Sequence, residues 1–381
     1  MNLVLDVDGR RSDADAPAET ALLYVLRFVV RAALLAWLLY STFAAAADYP
    51  APVEGDFILR DFRFSNGDTL PELRMHYRTL GTPRKDEKGI VRNAVWIGHG
   101  TGGSGAQFLR PEFADELFGA GQLLDATKYF IVLPDGIGHG KSAKPSDGLK
   151  ARFPQYGYTD MIEAQYRLLN EGLQVNHLRL VMGTSMGGMH TWVWGERHPG
   201  FMDALMPLAS LPTQISGSNR VWRKTLIDAI RNDPAWNGGN YTAQPPSLRT
   251  AASLVFFMGS NPILRQAQMP TLAKADEVLE QWLATALKTA DANDVLYQVS
   301  ASWDYDPNPD LEKILAPLVA VNFADDIINP PELGILEREI KRVSRGAAVL
   351  IPLSEGTRGH GSHRIAALWK QHLSKLLEES Q

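Results

Sequence analysis

Five short runs of mostly apolar residues recur along the chain, and turn-forming residues bound each of them. They are NAVWIGHG (93–100), YFIVLPDG (129–136), LRLVMG (178–183), ALMPLAS (204–210) and PLVAVNFA (317–324). Continuous apolar runs of this length are typical of strands that are buried on both faces of a parallel sheet. Segments with helical spacing, such as DMIEAQYRLLNEGL and MHTWVWGERH, separate several of the runs. The alternation predicts an α/β fold in which helices flank a mostly parallel sheet.

One region interrupts this alternation of strands and helices. From residue 212 to 303 the sequence is helix-like and rich in Trp, Phe, Met and Pro, and it has no strand-like run of comparable strength. Its expected helices are VWRKTLIDAI, SLVFFMGSN and ADEVLEQWLATALKTA. Because the region lies between two predicted strands of one sheet, we interpret it as an inserted helical cap. The expected core therefore consists of residues 48–211 and 304–381. Most apolar side chains of the cap should form its own core, while a minority line a substrate tunnel.

The segment 1–47 has the composition of a targeting sequence. Arg27 and Arg31 precede the apolar run AALLAWLLYSTFAAAA, which ends in alanines just before Asp48. A basic flank, a short apolar stretch and an Ala-x-Ala cleavage option describe a secretory signal peptide. A membrane anchor is the alternative, but two arginines leave the uninterrupted run short for a bilayer. We expect cleavage near Ala47 and a periplasmic or secreted protein that contacts a membrane only through this segment.

Charge and cysteine content exclude several classes of function. The 381 residues include 38 basic and 43 acidic side chains, and no basic run stands out, so nucleic acid is not an expected partner. The chain has no cysteine, which excludes disulfides, thiolate metal sites and a cysteine nucleophile. Since no His-x-x-x-His pair or carboxylate cluster stands out, we predict neither a metal nor a cofactor. The oligomeric state stays open, with a homodimer as one option.

The stretch GTSMG directly follows one of the predicted strands and precedes a predicted helix. A strand, the pattern Gly-x-Ser-x-Gly and a helix form a nucleophile elbow, a sharp turn that exposes a serine hydroxyl at the carboxyl end of a sheet. Gly183 and Gly187 would let the strand and the helix pass close together. We therefore predict Ser185 as a catalytic nucleophile. A packing serine in a glycine-rich turn is the alternative.

A serine nucleophile needs a base that removes its proton, and in this arrangement the acid and then the histidine follow it along the chain. Asp325 and Asp326 come directly after the apolar run at 317–324, where an acid-bearing loop belongs. His360 lies between two glycines before the last helical segment. We predict His360 as the base and one of the two aspartates as its partner. His363 is the competing candidate for the base.

Two backbone N–H groups should stabilise the oxyanion that forms when the serine attacks a carbonyl group. Met186, directly after the serine, supplies the first. The glycine-rich loop HGTGGSG, after the first predicted strand, supplies the second through Thr101 or Gly100. The loop lacks the lysine and the spacing of a phosphate-binding P-loop, which disfavours a nucleotide site.

Four segments are distinctive in combination: LPELRMHYRTLGT, TSMGGMHTWVW, AIRNDPAWNGGNY and DANDVLY. With them, the chain from residue 48 resembles, almost end to end, the homoserine O-acetyltransferase family of α/β-hydrolase-fold proteins. The resemblance implies an α/β-hydrolase fold, Ser185 as nucleophile and His360 as base. The acid motif of the family, Asp followed by three residues and Pro-Pro-Glu, aligns on Asp326 rather than Asp325.

Two positions depart from the family pattern. Family acetyltransferases carry an arginine in the cap motif and another before the aspartate of the helix DMIEAQ, and this chain has Ile227 and Thr159 there. An arginine binds a carboxylate through two hydrogen bonds, and neither isoleucine nor threonine can replace it. Acetyl-CoA is moreover a cytosolic donor, whereas this chain is expected to be exported. Both features count against homoserine acetylation.

Three functions therefore remain. The favoured one is a serine hydrolase that cleaves an acyl ester of a small molecule through an acyl-enzyme. The alternative is an acyltransferase of the homoserine O-acetyltransferase type that uses an acyl-CoA donor. The third, a catalytically idle binding protein on the same fold, is disfavoured because Ser185, Asp326 and His360 are all present. The acyl group and the acceptor stay open.

Overall fold

One mostly parallel sheet organises the part of the chain that the computed structural model describes, residues 48–380. Its strands are β1 (Val53–Arg63), β2 (Thr69–Leu80), β3 (Ala94–Gly98), β4 (Phe130–Pro134), β5 (Leu180–Thr184), β6 (Leu205–Leu208), β7 (Leu318–Phe323) and β8 (Gly346–Ile351). They lie in the order β1-β2-β4-β3-β5-β6-β7-β8. Only the pairs β1–β2 and β2–β4 are antiparallel. The predicted fold class is confirmed. The predicted targeting segment lies outside the described residues.

The five apolar runs of the sequence form β3 to β7, and every residue of these strands is buried. They are apolar throughout because helices cover both faces of the sheet. In β3, for example, Val95 and Ile97 belong to the buried cluster on one face, while Trp96 belongs to the cluster on the other. The central strands are thus fixed from both sides, and so are the loops at their carboxyl ends.

The helices follow the strands in the expected alternation. They are α1 (Pro111–Leu117), α2 (Tyr158–Arg167), α3 (Met186–Arg197), α4 (Gly217–Arg231), α5 (Ser247–Met258), α6 (Pro262–Gln268), α7 (Leu272–Ala286), α8 (Ala292–Ser300), α9 (Ile335–Glu339) and α10 (Lys370–Glu379). Met161 of α2 and Trp192 of α3 pack in one cluster, whereas Phe113 of α1 and Leu373 of α10 pack in the other. Helices therefore lie on both sides of the sheet. None of the helices in residues 48–380 has the length and apolar character of a membrane span.

The region 212–303 contributes α4 to α8, which lie between β6 and β7 along the chain. β6 and β7 are hydrogen-bonded neighbours in the sheet, with Leu205 opposite Leu318. Three of these helices, α4, α5 and α8, share an apolar cluster of their own, formed by Leu226, Ile227, Ile230, Leu248, Ala251, Ala292, Leu296 and Val299. Of these helices, α6 and α8 were not expected from the sequence.

Candidate active site

Ser185 lies at the turn between β5 and α3, and its backbone is strained. Its φ of 55° and ψ of −110° place a non-glycine residue in a sparsely populated region, at a cost of about 1–3 kcal/mol. The Ser185 N–H donates a hydrogen bond of 2.9 Å to the Leu208 carbonyl of β6, and its own carbonyl accepts from the Met189 N–H of α3. Strand pairing and helix initiation therefore hold the turn from both sides and keep the hydroxyl at the carboxyl end of the sheet.

The two glycines of the motif make this turn sterically feasible. A Cβ on Gly183 would lie 2.3 Å from the backbone of Gly187, and a Cβ on Gly187 would lie 1.9 Å from the Gly98 carbonyl oxygen. Neither contact can be relieved by a side-chain movement, because the clashing atoms belong to the backbone. Helix α3 consequently packs directly against the ends of β3 and β5, and no larger residue fits at either position.

A continuous row of hydrogen bonds leads from the serine to a buried carboxylate. The Ser185 Oγ and His360 Nε2 atoms are 2.8 Å apart, and His360 Nδ1 is 2.8 Å from Asp326 Oδ2. His360 follows β8 and Asp326 follows β7, so the row crosses the carboxyl ends of three strands. Ser185, Asp326 and His360, which the sequence predicted, are brought together by the structure.

The Asp326 carboxylate is held by more than the histidine. Its Oδ1 atom accepts hydrogen bonds from the backbone N–H groups of Ile328 and Asn329, at 2.8 and 3.2 Å. The Asn329 side-chain amide donates to Oδ2 at 3.1 Å. Burial raises the pKa of the Asp326 carboxyl, but His360 together with these donors outweighs burial and holds that pKa below its ordinary value. The carboxylate is thus ionised and fixed in one orientation.

The two competing candidates from the sequence lie elsewhere in the site. Asp325 Oδ2 accepts hydrogen bonds from the Asn261 side-chain amide and from the Gly359 N–H, the latter at 2.8 Å. Asp325 therefore connects the loop between α5 and α6 to the loop that carries His360. The ring of His363 is buried and packs edge-on against His360 at a centroid distance of 5.3 Å. Burial lowers the pKa of His363 well below its ordinary value, so this ring is neutral.

The glycine-rich loop after β3 closes the other side of the serine. A Cβ built on Gly100 would be 3.5 Å from the Ser185 Cβ. The Gly100 carbonyl accepts hydrogen bonds from His99 Nδ1 at 2.9 Å and from the Gly103 N–H at 3.0 Å. In a trans peptide the N–H points opposite to the carbonyl, so the Thr101 N–H points away from His99. Met186 is the first residue of α3, and first-turn N–H groups have no carbonyl partner within their helix.

His99 was not identified as a functional residue from the sequence, although it is the first residue of the loop HGTGGSG. Its Nε2 atom accepts a hydrogen bond of 2.9 Å from the Gly136 N–H, so the ring proton is on Nδ1 and is donated to Gly100. Burial lowers the pKa of His99 and keeps the ring neutral. A buried histidine next to a glycine loop resembles any core histidine in a sequence, and only its two contacts reveal that it orients the loop.

Ser185 and His360 line a cavity of about 1000 Å³. The Gly100–Ser104 loop forms one wall, and residues of α4, α5, α7 and α8 form the opposite wall, among them Trp222, Met258 and Trp282. Neither Ile227 nor Thr159 lines it. Side chains of α4, α5, α7 and α8 thus share with Ser185 a cavity large enough for a small ester.

Arg223 of α4 also lines this cavity, and it was missed in the sequence. It shares one helical face with Leu226, Ile227 and Ile230, all of which are buried. That spacing was the available signal, because an arginine in register with the apolar stripe of an amphipathic helix cannot reach bulk water easily.

The amino-acid sequence of this chain is similar to a known protein family and to several known proteins. A family model described as the alpha/beta hydrolase fold matches residues 93–339. A probable acyltransferase of Methanothermobacter thermautotrophicus is 28% identical over 278 residues, which cover 73% of this chain and 84% of the relative. The homoserine O-acetyltransferase of Haloarcula marismortui is 34% identical over 212 residues, and the match spans only about half of either chain. The resemblance stated from the sequence is confirmed.

Two solved structures illustrate the likeness of fold. The homoserine O-acetyltransferase from Bacillus anthracis superposes with a TM-score of 0.74 at 21% identity, covering 86% of this chain and 98% of that one. An acetylester hydrolase from Corynebacterium glutamicum reaches 0.73 at 21% identity, covering 86% and 96%. One transferase and one hydrolase are therefore similar to this chain to the same degree, and the fold does not distinguish the two reactions.

Proposed function

Since the chain belongs to the alpha/beta-hydrolase fold family, we propose that it is a serine hydrolase that cleaves an acyl ester through a covalent acyl-enzyme. The observation that carries the proposal is the series of hydrogen bonds from Ser185 through His360 to Asp326, since Ser185 and His360 also line the large cavity. The elbow strain supports it, because a strained backbone at a serine is retained where the surrounding structure enforces it, commonly at reactive sites.

In the first half of the reaction, Ser185 Oγ attacks the ester carbonyl carbon while His360 Nε2 accepts the hydroxyl proton. The Asp326 carboxylate keeps the ring proton on Nδ1 and stabilises the imidazolium ion. When the tetrahedral intermediate collapses, the C–O bond to the alcohol breaks and His360 returns the proton to the leaving oxygen. The alcohol leaves, and the acyl group remains bonded to Ser185.

The negative charge on the intermediate needs two donors that are already in place. We assign them to the backbone N–H groups of Met186 and Thr101. Between Thr101 and Gly100, the alternatives raised by the sequence, the fixed Gly100 carbonyl favours Thr101. Because the donors belong to the backbone of a helix start and of a doubly hydrogen-bonded loop, they do not have to reorganise during the reaction.

In the second half, the acceptor decides between hydrolase and transferase. Water attacks the acyl-enzyme with His360 as base, and the products are the carboxylic acid and free Ser185. Ser185 is partly accessible at the wall of the large cavity, so water reaches it. The names of the relatives keep the second candidate, an acyltransferase with an alcohol acceptor, in consideration.

The test uses the purified protein and 4-nitrophenyl esters of increasing acyl length, with and without homoserine. An initial burst of nitrophenol equal to the enzyme concentration indicates the acyl-enzyme. The hydrolase proposal expects free carboxylic acid in an amount that homoserine does not change, measured by mass spectrometry. Stoichiometric O-acylhomoserine would instead support the transferase. Ser104→Ala, which removes another cavity-lining hydroxyl, is the matched control for Ser185→Ala.

We also infer that residues 1–47 direct export and are removed near Ala47. The basic flank, the short apolar run and the terminal alanines support this. Export would separate the site from cytosolic acyl-CoA, which agrees with water as the acceptor.

A further inference from the structure

Arg223 is the least expected charge in the cavity wall. Its side chain is only 3% exposed. Its Nε atom donates a hydrogen bond of 3.0 Å to the Asn219 side chain, and its guanidinium carbon lies 4.9 Å from the centroid of the Trp222 ring. The Nη1 atom is buried and has no hydrogen-bond partner within residues 48–380. A buried guanidinium remains charged, and leaving one of its donors unpaired is costly.

Two further hydroxyl groups next to Arg223 are also unsatisfied. The Tyr158 Oη and Thr101 Oγ1 atoms are buried without a partner in the described part of the chain. Burial raises the pKa of the Tyr158 hydroxyl, and the neighbouring Arg223 and Thr101 side chains partly offset the increase. The three groups are therefore neighbours. Thr101 and Arg223 line the cavity, whereas Tyr158 does not line it and is fully buried.

These groups define the chemistry of a missing partner. A guanidinium can only donate hydrogen bonds, and each hydroxyl has one hydrogen to donate. None of the ion pairs between described residues includes Arg223. Burial lowers the pKa of its guanidinium, and the neighbours that also act on that pKa are Tyr158 and Arg220 rather than any carboxylate. The partner must accept hydrogen bonds and carry negative charge, and a carboxylate fits the planar fork of an arginine.

We propose that Arg223, with the Thr101 hydroxyl, binds a carboxylate group of the substrate. The inference deepens the proposed function by naming a substrate class: small esters that carry a carboxylate near the scissile bond. The carboxylate would lie near the scissile bond, because Thr101 also provides the assigned oxyanion donor. The carboxylate belongs either to the acyl part, as in the monoester of a dicarboxylic acid, or to the alcohol part, as in an acylated hydroxy acid. Arg223 lies one helical turn before Ile227, the position at which the family carries an arginine.

The test compares charged with neutral esters. In the acyl arm, mono(4-nitrophenyl) esters of C4 to C6 dicarboxylic acids are paired with 4-nitrophenyl butanoate to hexanoate, with spontaneous hydrolysis subtracted. In the alcohol arm, 4-acetoxybutanoate is paired with 4-acetoxybutanamide. The wild type should prefer the charged member of at least one pair in kcat/KM by about 10- to 100-fold, the size expected for hydrogen bonds to a charged group. Arg223→Met should abolish the preference, because it should lower kcat/KM far more for the charged ester than for its neutral counterpart.

Arg220→Met is the matched control, because Arg220 is an exposed cation on the same helix; its preference should equal that of the wild type. A wild type that favours the neutral ester in both arms, or an Arg223→Met variant that loses both activities equally, would overturn the inference. Thermal melting checks the fold: removal of an unpaired buried charge should leave the melting temperature of Arg223→Met at or above that of the wild type. A large decrease would make Arg223 a structural residue and would also overturn the inference.

A binding measurement separates this inference from the proposed function. In the Ser185→Ala background, millimolar glutarate should raise the melting temperature, whereas glutaramide should not. Adding Arg223→Met should remove the glutarate effect. If the wild type hydrolyses no ester but glutarate still binds through Arg223, the hydrolase proposal fails and the carboxylate site stands. If esters are hydrolysed but glutarate has no effect, the site fails and the hydrolase stands.

Discussion

Asp325→Asn and Asp326→Asn change adjacent residues in the same way, yet the structure predicts very different consequences. In Asp326→Asn, the amide oxygen should take the place of Oδ1, because two backbone N–H groups donate there. The amide NH2 then occupies the place of Oδ2 and faces His360 Nδ1. Two donors cannot share that contact, so the ring proton moves to Nε2, and the ring can no longer accept the proton of Ser185.

The magnitude follows from the loss of the correct tautomer. In serine proteases, replacing the carboxylate of the Ser-His-Asp triad by an amide lowers kcat about 10,000-fold. This corresponds to an increase of about 5.4 kcal/mol in the activation barrier. In Asp325→Asn, the amide oxygen can still accept a hydrogen bond from Gly359 or from Asn261. The hydrogen bonds that connect Ser185, His360 and Asp326 stay intact. We expect less than a tenfold change in kcat for that variant, together with a loss of stability of about 1–3 kcal/mol for the weakened contact.

The assay measures kcat and kcat/KM with 4-nitrophenyl acetate, after titrating the reactive serine with a fluorophosphonate and checking folding by circular dichroism. The wild type, Asp325→Asn and Asp326→Asn are compared at several pH values. If Asp325→Asn were the more damaging change, or if both variants stayed within tenfold of the wild type, the assignment of Asp326 as the orienting acid would be refuted.

Three further outcomes are expected. Ser185→Ala should lose several powers of ten in kcat/KM while retaining its melting temperature, and a variant that retains a tenth of wild-type turnover would exclude the serine as nucleophile. Burial raises the pKa of Glu196 from 4.5 to about 8, so folding stability falls as pH rises between these values, by at most about 1.4 kcal/mol per pKa unit. The melting temperature of Glu196→Gln should therefore exceed that of the wild type at pH 8 but not at pH 4. The same difference in melting temperature at both pH values would contradict the raised pKa of Glu196. Intact mass of cell-extracted protein should place the mature N-terminus near Asp48 in the periplasmic fraction, whereas a full-length cytosolic chain would contradict export.

The central strands were predictable because their apolar runs have one cause, which is burial on both faces of the sheet. β8 was not predicted, since it is an edge strand with mixed exposure and begins with the small residues Gly346, Ala347 and Ala348. A strand that pairs on one side only needs no continuous apolar run. Helices α6 and α8 were not predicted either, because each is short and follows a turn inside the cap.

The site residues were predictable to the extent that local chain geometry determines them. Ser185 sits in a turn whose glycines are required by contacts with Gly98 and with each other, and those requirements are visible as a motif. The choice between Asp325 and Asp326 depends on which way each side chain leaves the same loop. Residue types alone leave that choice open, and only the alignment with the acid motif of the family favoured Asp326. The spacing of Arg223 with the apolar residues of α4 was visible in the sequence, but the absence of a carboxylate partner among the described residues is apparent only in the packed structure.

The position of the cap has a consequence for how this protein can change its substrates. β6 and β7 are already neighbours in the sheet, so the chain between them closes a loop whose ends are fixed by strand pairing. The entropic cost of such a loop grows by only about 0.6 kcal/mol for each doubling of its length. A longer, shorter or entirely different cap would therefore leave the sheet nearly as stable as it is.

Ser185, Asp326 and His360 all follow strands of the sheet, and none belongs to the cap. The groups assigned to bond breaking and those assigned to substrate selection thus lie in different parts of the chain. Several hydrogen bonds join the two parts, among them those of Asn261 to Asp325, Ser146 to Asp294 and Gln298 to Gly138. A cap taken from another protein of this fold should transplant onto this sheet if it reproduces these hydrogen bonds. The chimaera would keep the reaction and acquire the selectivity of the donor.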